Sequence, residues 1–342
     1  MVKGKTIRTT LILTILLLAS VIIAINTQAE HIISPNNEKQ IITVDKNGEG
    51  DYTTIQEAVN NAPEGSTIYI KTGIYQENIN IKKTITLIGE DKTIINPISE
   101  KNKYAIRIGA PEVKLNRLSI TNGAPGLYTT GIYISAPNTE IEDCNIYDTP
   151  IGIAIWTSNN NINNCKFWNC TDEGIALLGS KNSECNNNKI TNCLFYNNCD
   201  GIELQYSSNN MILGCEFYEN THTGINAIAE SNNKNIIADC KIYDNRVNGI
   251  YLSSSSENQI IDCIISDNKD GNIITKNSYN NIIKNTESNT HKTEPTTEEN
   301  PTGYQNNKTT LEKNLKNSIL NAISNIKIKN YTILSLVAML FQ

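Results

Sequence analysis

A glycine followed by a short apolar, β-prone stretch recurs through the middle of the chain at intervals of 21 to 27 residues. The phrase begins at Gly131, Gly152, Gly174, Gly201, Gly224, Gly249 and Gly271. Between these glycines a second phrase recurs as IEDCNIYD, INNCKFWN, ITNCLFYN, ILGCEFYE, IIADCKIYD and IIDCIISD. A repeat of about 20 to 30 residues that holds short strands and turn residues is typical of a β-solenoid. The pattern therefore predicts an all-β protein whose stacked coils contain three strands each.

Alignment of the phrases places like residues in columns. Six cysteines share one column, in which Leu118 occupies the preceding coil: Cys144, Cys165, Cys193, Cys215, Cys240 and Cys263. A second apolar column follows two residues later: Ile146, Phe167, Phe195, Phe217, Ile242 and Ile265. Because alternate residues of a strand face the same side of a sheet, both columns are predicted to point into the core.

Two asparagine columns flank the second phrase. One column precedes it: Asn160, Asn188, Asn210, Asn235, Asn258 and Asn280. The other column follows it: Asn198, Asn220, Asn245 and Asn268. Asparagine tolerates the left-handed backbone of a tight turn, and stacked amides can hydrogen-bond along the axis of a stacked-strand assembly. Together with the glycines, these columns predict the bends of each coil.

Residues 41–100 predict the beginning of the solenoid. In the segment TTIQEAVNNA, Thr54 and Glu57 form a capping box, and Pro63 ends the helix. One apolar face of this helix is formed by Ile55, Ala58, Val59 and Ala62. A solenoid needs its first apolar layer covered, so we expect this short N-terminal helix to be a cap. Strands are predicted after it, at Thr67–Lys71, Glu77–Ile81 and Thr84–Ile88.

The segment from Asp45 to Asp91 resembles the opening of pectinesterase-like and NosD-like β-helix proteins. Residues 104–285 resemble the parallel β-helix repeats that those proteins share with the pectate-lyase-like superfamily. The resemblance covers residues 41–285 and implies a right-handed parallel β-helix of about 9–10 three-strand turns. Many unrelated functions use this scaffold, so the resemblance implies a fold rather than an activity.

The first 29 residues have the pattern of an export signal. A basic start is followed by the apolar run 11–25 and by a small-residue cleavage site that ends at Ala29. The run has about 15 residues, fewer than the ~20 needed to cross a bilayer, so cleavage is favoured over retention as an N-terminal anchor. In either case we expect the protein outside the cytoplasm, at the cell surface or in the extracellular or a periplasm-like space.

The end of the chain departs from the repeat. Residues 286–310 are rich in Thr, Glu, Asn and Pro, which predicts a disordered linker. Residues 311–342 are predicted to form an amphipathic helix followed by an apolar tail, with helix positions at Leu311, Leu315, Ile319, Ile323 and Ile326. The tail is too short to cross a membrane. Capping of the solenoid, docking on a surface protein and peripheral membrane contact through the termini stay open as alternatives.

Charge and composition exclude several partners. The formal charge is −6, and it becomes −9 without the three basic residues of the first 29. Nucleic acid needs a basic footprint, so we expect no nucleic-acid partner. The chain has three histidines, three methionines and no Cys-x-x-Cys motif, so we expect no metal and no cofactor. The cysteine column is interpreted as core packing, because Leu118 shares it.

The pectinesterase motif Gly-x-Tyr-x-Glu is present as Gly73, Tyr75 and Glu77. It belongs to the start of the scaffold, and its interpretation as a turn and a strand is favoured. The motifs that carry the catalytic aspartates of that family, Gln-Asp-Thr-Leu and Asp-Phe-Ile-Phe-Gly, are absent, as is Leu-Gly-Arg-Pro-Trp. The resemblance to pectinesterases therefore implies no catalytic residue in this chain.

Asn198–Glu203 resembles the Asn-Thr-Asp-Gly-Ile-Asp motif of polygalacturonase-like hydrolases, which use one carboxyl as an acid and another to activate water. With the preceding coil, this gives four candidate catalytic residues: Asp172, Glu173, Asp200 and Glu203. The other motifs of that family are missing, and acidic residues beside a glycine are also common in turns. A lyase would need a basic residue in an acidic constellation, which the three arginines of the repeats do not provide. The sequence therefore favours a protein without catalysis.

An aromatic column follows the inward Ile/Phe column by one residue, so alternation predicts that it faces outward: Tyr147, Trp168, Tyr196, Tyr218 and Tyr243. Such a stripe suits a polysaccharide or cell-surface glycan, or the apolar surface of a partner protein. Stacking of the rings on each other is the alternative. We therefore expect an exported, surface-associated β-helix that binds carbohydrate or another surface polymer, without an identifiable catalytic site. A polysaccharide lyase or hydrolase and a structural, adhesin-like spacer are the alternatives.

Overall fold

The computed structural model describes residues 41–97, 103–122, 129–183, 185–288 and 291–294, the last of these by backbone only. The strands within these ranges pair in parallel into three sheets. Each coil visits the first, second and third sheet in that order, and the chain forms a right-handed parallel β-helix of about 10 turns. The predicted signal at 1–29, most of the predicted linker and residues 311–342 lie outside the described ranges.

The first sheet has eleven strands. Its outer surface includes exposed charged residues such as Lys114 and Glu140. Its strands are β1 (Ile41–Val44), β2 (Thr67–Ile70), β5 (Thr86–Gly89), β8 (Lys114–Asn116), β11 (Glu140–Glu142), β14 (Asn161–Asn163), β17 (Lys189–Thr191), β20 (Met211–Leu213), β23 (Ile236–Ala238), β26 (Gln259–Ile261) and β29 (Ile282–Lys284). The predicted strands at 67–71 and 84–88 correspond to β2 and β5.

The second sheet contains the residues that follow the cysteine in each copy of the second repeated phrase. Its ten strands are β3 (Gly73–Tyr75), β6 (Thr93–Ile95), β9 (Ser119–Thr121), β12 (Asn145–Tyr147), β15 (Lys166–Trp168), β18 (Leu194–Tyr196), β21 (Glu216–Tyr218), β24 (Lys241–Tyr243), β27 (Ile264–Ser266) and β30 (Glu287–Ser288). Most of these strands have three residues, so the chain bends soon after each one.

The third sheet is formed mainly by the glycine phrase. Its ten strands are β4 (Ile79–Ile81), β7 (Tyr104–Ile108), β10 (Thr130–Ile134), β13 (Ile151–Ile155), β16 (Glu173–Leu178), β19 (Asp200–Gln205), β22 (Ile225–Ala227), β25 (Asn248–Ser253), β28 (Gly271–Lys276) and β31 (His291–Glu294). Because β30 and β31 continue the pairing, the solenoid extends to Glu294, beyond the predicted boundary at residue 285. Parallel pairing is made by backbone groups, so it can continue along the chain after the side-chain repeat has ended.

One helix, α1 (Ile55–Asn61), covers the start of the described solenoid. The Thr54 hydroxyl accepts a hydrogen bond from the Glu57 N–H at 3.4 Å, as the capping motif predicts. The side chains of Ile55, Ala58 and Val59 are buried, so the helix closes the first apolar layer. The predicted N-terminal cap is confirmed. No helix in the described part of the chain is long and apolar enough to cross a membrane.

The interior is filled by the columns that the alignment predicts. All six cysteines of the column are buried, and Phe167, Phe195 and Phe217 stack at ring-centroid distances of 4.8 and 4.7 Å. The Cys165 Sγ donates to the Asn163 carbonyl at 3.2 Å, and burial raises the pKa of this thiol well above its usual value. All nine cysteines of the chain are free thiols in the structure. The column is therefore core packing.

The asparagine columns form amide ladders, with one correction: Asn281, and not the predicted Asn280, accepts from Asn258 at the last rung, because Asn280 is the left-handed residue of that bend. The Asn160 Nδ2 donates to the Asn188 Oδ1 at 2.9 Å, and the Asn220 Nδ2 donates to the Asn245 Oδ1 at 2.8 Å. The left-handed residues stand one position earlier, for example Asn159 with φ of 65°. The backbone therefore bends at the residue before each ladder amide, and the ladder side chains satisfy the polar groups of the bend.

The glycine column marks a close approach between coils. A Cβ atom on Gly174 would lie 2.7 Å from the Gly201 carbonyl oxygen and 2.8 Å from the Phe195 ring. Neither neighbour can move away, because one is backbone and the other is part of the interior stack. Glycine is therefore required here in the coils from Gly131 to Gly249. The predicted Gly271 lies one residue out of this column, because it pairs with Asn248 and leaves Asn272 opposite Gly249.

Candidate functional site

The predicted aromatic stripe lies at the outer edge of the second sheet. Each ring belongs to the last residue of its strand, and the rings pair in register from Tyr147 to Tyr243. Successive ring centroids are 4.5, 5.9, 5.3 and 5.4 Å apart, and successive ring planes differ by only 4–8°. The rings are half-buried. Their faces therefore lie against each other, and their edges point to solvent.

The polar ends of the stripe also have partners within the molecule. The Tyr243 hydroxyl donates to the Glu216 Oε1 at 2.8 Å. Burial, followed by this hydrogen bond to a carboxylate, raises the pKa of Tyr243 to about 12. Beside the stripe, Asp148 accepts from the Asn169 Nδ2 at 3.1 Å, and both residues have left-handed backbones. A ligand at the stripe would meet ring edges and hydroxyl groups, and a ring face only at the two ends.

A second outward column runs along the third sheet. The strand register pairs its members in order: Arg107, Tyr133, Ala154, Ala176, Glu203, Asn226, Tyr251 and Ile274. From Tyr133 to Tyr251 these residues occupy the third position of the glycine phrase, whereas Ile274 is the fourth residue of its phrase. Each lies between two buried positions, and five of them are themselves buried: Ala154, Ala176, Glu203, Asn226 and Ile274. Alternation along the strand could have found this column from the sequence, because the second and fourth positions of the phrase are uniformly apolar or nearly so.

Aromatic side chains gather at the N-terminal part of this face. The Tyr133 ring lies 5.0 Å from the Tyr104 ring and 6.4 Å from the Trp156 ring, and the planes are tilted by 38° and 36°. Trp156 is 42% exposed. Because the rings are tilted rather than stacked in parallel, they do not cover one another's faces completely. Tyr133 also packs against a small apolar floor that includes Ala154 and Ala176.

The four carboxylates predicted from the sequence lie further along the same face. Glu173 pairs with Asp200 across β16 and β19, and Glu203 lies three residues after Asp200 in β19. Asp172 precedes β16 and is half-buried, whereas the other three are buried. We call Asp172, Glu173, Asp200 and Glu203 the acidic cluster.

Asp200 is held by three donors. Its Oδ1 accepts from the Thr223 N–H at 2.8 Å and lies 2.7 Å from the His222 Nδ1, and its Oδ2 accepts from the Asn226 Nδ2 at 2.8 Å. The Glu203 Oε1 accepts from the Gln205 Nε2 at 2.5 Å. His222, Asn226 and Gln205 were not identified from the sequence. His222 lies in a bend whose length differs between coils, so alignment of the phrases does not bring it beside Asp200.

The environment separates the pKa values of these groups. Burial, and then the charges of Asp172 and Glu203, raise the pKa of Glu173 to about 9. Burial is also the main reason why the pKa of Glu203 is raised to about 7. The hydrogen bond to Asp200 raises the pKa of His222. At neutral pH Glu173 is therefore a protonated acid, and Glu203 lies near the midpoint of its titration.

Three buried polar atoms at this site have no hydrogen-bond partner within the described residues: Glu173 Oε2, Thr223 Oγ1 and Asn226 Oδ1. A buried acceptor without a partner is costly, by about 1–3 kcal/mol, unless a ligand or water supplies a donor. Within the described residues, no group of three or more His, Cys, Asp or Glu side chains is arranged to hold a metal ion. The site is therefore suited to a ligand that brings hydrogen-bond donors.

Two family models match the chain. The model described as "Right handed beta helix region" matches residues 77–233 and 131–288, and the model described as "Pectinesterase" matches residues 41–107. The first model thus spans most of the solenoid, whereas the second is confined to its N-terminal part.

Curated relatives match parts of their own length. A putative pectinesterase/pectinesterase inhibitor 22 from Arabidopsis thaliana is 42% identical over 66 residues, which are 17% of this chain and 11% of that relative. A cell surface glycoprotein from Methanothermus fervidus is 28% identical over 249 residues, which are 68% of this chain and 41% of the glycoprotein. The chain therefore spans less than half the length of either relative.

Solved structures share the fold at low identity. The A-module of the mannuronan C-5 epimerase AlgE4 from Azotobacter vinelandii aligns with a TM-score of 0.55 at 15% identity, over 68% of this chain and 71% of the module. Pectate lyase Pel9A aligns with a TM-score of 0.53 at 13% identity, over 72% of this chain and 78% of the lyase. Tailspike protein 2 of an Escherichia coli O157:H7 bacteriophage aligns with a TM-score of 0.52 at 16% identity, over 67% of this chain and 36% of the tailspike chain. These similarities show the fold alone.

Proposed function

The chain belongs to the right-handed β-helix family, and from that premise we propose that it binds an extended polysaccharide along the outer face of its third sheet. One observation carries this proposal: a single outward column leads from the Tyr133 ring, over Ala154 and Ala176, to Glu203 and Asn226. Aromatic faces pack against the C–H faces of sugars, and carboxylate and amide groups bond sugar hydroxyls. Ala154 and Ala176 form the small apolar floor between these two regions, with Tyr133 packed against it.

The stripe at Tyr147, Trp168, Tyr196, Tyr218 and Tyr243 is the rival glycan surface. Its rings use their faces to stack on one another, and this arrangement is already stabilising without a ligand. The third-sheet face instead combines a tilted, exposed Trp156 with unpartnered polar atoms. These differences favour the third sheet as the surface that holds the polymer.

We further propose that binding takes place outside the cytoplasm, at the cell surface. Two observations support this location. The first 29 residues have the pattern of an export signal. The relative from Methanothermus fervidus that matches 68% of the chain is a cell surface glycoprotein.

Cleavage of the bound polymer is the second candidate function. The separated pKa values of Glu173 and Glu203 favour it, because acid–base catalysis needs one protonated and one ionised group. Glu173 would donate its proton to the glycosidic oxygen as the bond to the anomeric carbon breaks. Glu203 would take a proton from the water that adds to that carbon.

The proposal is tested with the full-length protein and a panel of neutral and acidic polysaccharides. Binding is measured for the wild type, for Tyr133→Ala/Trp156→Ala and for Trp168→Ala/Tyr196→Ala, with circular dichroism to verify that each variant is folded. We expect the first double variant to lose binding by about tenfold or more and the second to retain it. The opposite result would identify the stripe as the glycan surface.

The same panel separates the remaining alternatives. New reducing ends or unsaturated products in the polymer would establish cleavage, and their loss in Glu173→Gln would assign it to the acidic cluster. If no polysaccharide binds, the proposal is wrong, and a spacer or a contact surface for another protein becomes the better hypothesis.

A further inference from the structure

We propose that the polymer bound on the third-sheet face carries free amino groups, and that the acidic cluster together with Asn226 binds their ammonium form. The ligand class is thus an amino-sugar glycan that is at least partly free of N-acetyl groups. This inference rests on the proposed function, since it specifies the polymer that the same face holds.

The charges of the site favour a cationic ligand. Three buried carboxyl groups belong to adjoining strands, and Glu173 lies directly opposite Asp200 in the parallel pairing. The described ion pairs include none between Glu173 or Glu203 and a lysine or arginine. The basic group in contact with the cluster is His222, which lies 2.7 Å from Asp200. A cation in the ligand would therefore meet two acids, Glu173 and Glu203, that no described lysine or arginine neutralises, and its charge would favour their ionised forms. Asp200 is already paired with His222.

The unpartnered atoms supply an independent observation. Asn226 is 4% exposed, and its Nδ2 donates to the Asp200 Oδ2, which places its unpartnered Oδ1 at the cluster. The Oε2 of Glu173, a residue that is 6% exposed, and the buried Thr223 Oγ1 are also unpartnered. An ammonium group has three N–H donors and no acceptor, so it matches a site that offers oxygen acceptors.

The same features disfavour an acidic sugar. A uronate would add another carboxylate to a region where burial, and then repulsion from Asp172 and Glu203, already raise the pKa of Glu173. A neutral N-acetyl group would retain hydrogen bonding and lose the charge attraction. The net charge of −6 acts in the same sense over longer distances, because it attracts a cationic polymer and repels an anionic one.

The rim of the site is partly exposed to solvent. The His222 side chain is 45% exposed although its partner carboxylate is buried, and Asp172 is half-buried. The proposal therefore places the amine at this rim, beside His222 and Asp172.

The experiment compares oligosaccharides of equal length that differ at one position of each sugar. Binding of the full-length protein to oligomers of glucosamine, N-acetylglucosamine and galacturonate is measured by calorimetry near neutral pH. We expect the glucosamine oligomer to bind about tenfold more tightly than the N-acetylated one, since charge-assisted hydrogen bonds are roughly twice as strong as neutral ones. We expect the galacturonate oligomer to bind least.

Variants locate the preference in the cluster. Glu203→Gln keeps the shape of the side chain and removes its charge, so the preference for the amine should fall severalfold while binding of the N-acetylated oligomer persists. Glu142→Gln, an exposed carboxylate on the first sheet, is the control and should change nothing. Equal affinity for the two oligomers, or a preference that survives both Glu203→Gln and Glu173→Gln, would overturn the inference alone. Absence of binding to every oligomer and to the polysaccharide panel would overturn the proposed function as well.

Discussion

The Glu77 carboxylate accepts a hydrogen bond at 2.7 Å from the main-chain N–H of Ile55, the first residue of α1. Its other oxygen accepts from the Gln56 N–H at 2.8 Å. Glu77 ends the Gly-x-Tyr-x-Glu motif, whose Tyr75 is buried and donates to the Lys71 carbonyl at 2.9 Å. The motif therefore holds the capping helix against the first coils, and this structural role explains its presence without a catalytic function.

Replacement of Glu77 should loosen this cap. Glu77→Ala leaves two helix N–H groups without their acceptor, and we predict a loss of about 1–3 kcal/mol in the free energy of unfolding. Hydrogen exchange should become faster in α1 and β1 and change little in the later coils. Gln76→Ala, at the exposed neighbouring position, is the control. Unchanged exchange in α1 would show that Glu77 does not hold the helix.

The interior phenylalanine stack should dominate stability. Phe195→Ala removes a ring that is packed between Phe167 and Phe217, and we predict a cost of about 3–5 kcal/mol. Tyr196→Ala, one residue later in the half-buried stripe, should cost less than half as much. Chemical denaturation of both variants measures the difference. Equal costs would contradict the assignment of one column to the core and the other to the surface.

The asparagine ladder should be intolerant of truncation. Asn220→Ala removes the acceptor of the Asn198 N–H and the donor to the Asn245 Oδ1. Each buried group left unpaired costs about 1–3 kcal/mol, so we predict a marked fall in the melting temperature. Glu219→Ala changes the exposed, left-handed residue beside it and should have little effect. A comparable fall in both variants would indicate that bend geometry, rather than the ladder, sets the stability.

Stability should decrease as the pH rises from about 4.5 to about 9. In this window the unfolded state releases the protons of Glu173 and Glu203, whose pKa values the fold raises to about 9 and about 7, so the folded state binds more protons. His222 acts in the same direction, because its folded pKa is also raised. Asp172 and Asp200 face these groups and maintain the repulsion. Glu173→Gln should flatten the dependence of the unfolding free energy on pH, whereas the control Glu142→Gln should not. Equally steep profiles in the two variants would show that the titration of Glu173 is not coupled to folding.

The core columns could be predicted because strand alternation and stacking act on every coil alike. Cys165 and Phe167 are two residues apart, so both point inward, and each neighbouring coil repeats the pattern. The position of the left-handed residue in each bend was predictable only to within one residue. Asn160 was expected at the bend, but the left-handed residue is Asn159, since an amide ladder needs its side chains turned inward.

The candidate surfaces depend on features that periodicity does not determine. Alternation predicts that Trp168 leaves the core, but it does not give the tilt of the ring, and stacking on Tyr147 turned the ring face away from solvent. Alternation within the glycine phrase indicates that Tyr133 leaves the core, but the sequence does not show that Trp156, just after the phrase, packs near Tyr133 or that His222 contacts Asp200. Contacts across coils, which depend on bend length, were therefore beyond the sequence.

The two tryptophans of the chain lie on the two rival surfaces, Trp156 on the third sheet and Trp168 in the stripe. The most direct measurement is fluorescence titration of two single-tryptophan variants, Trp168→Phe and Trp156→Phe, with the polysaccharide that the full-length protein binds. The account predicts a saturable change in emission from Trp156 in the first variant and none from Trp168 in the second. A saturable change from Trp168 with an unchanged Trp156 would contradict binding on the third sheet and assign the polymer to the stripe.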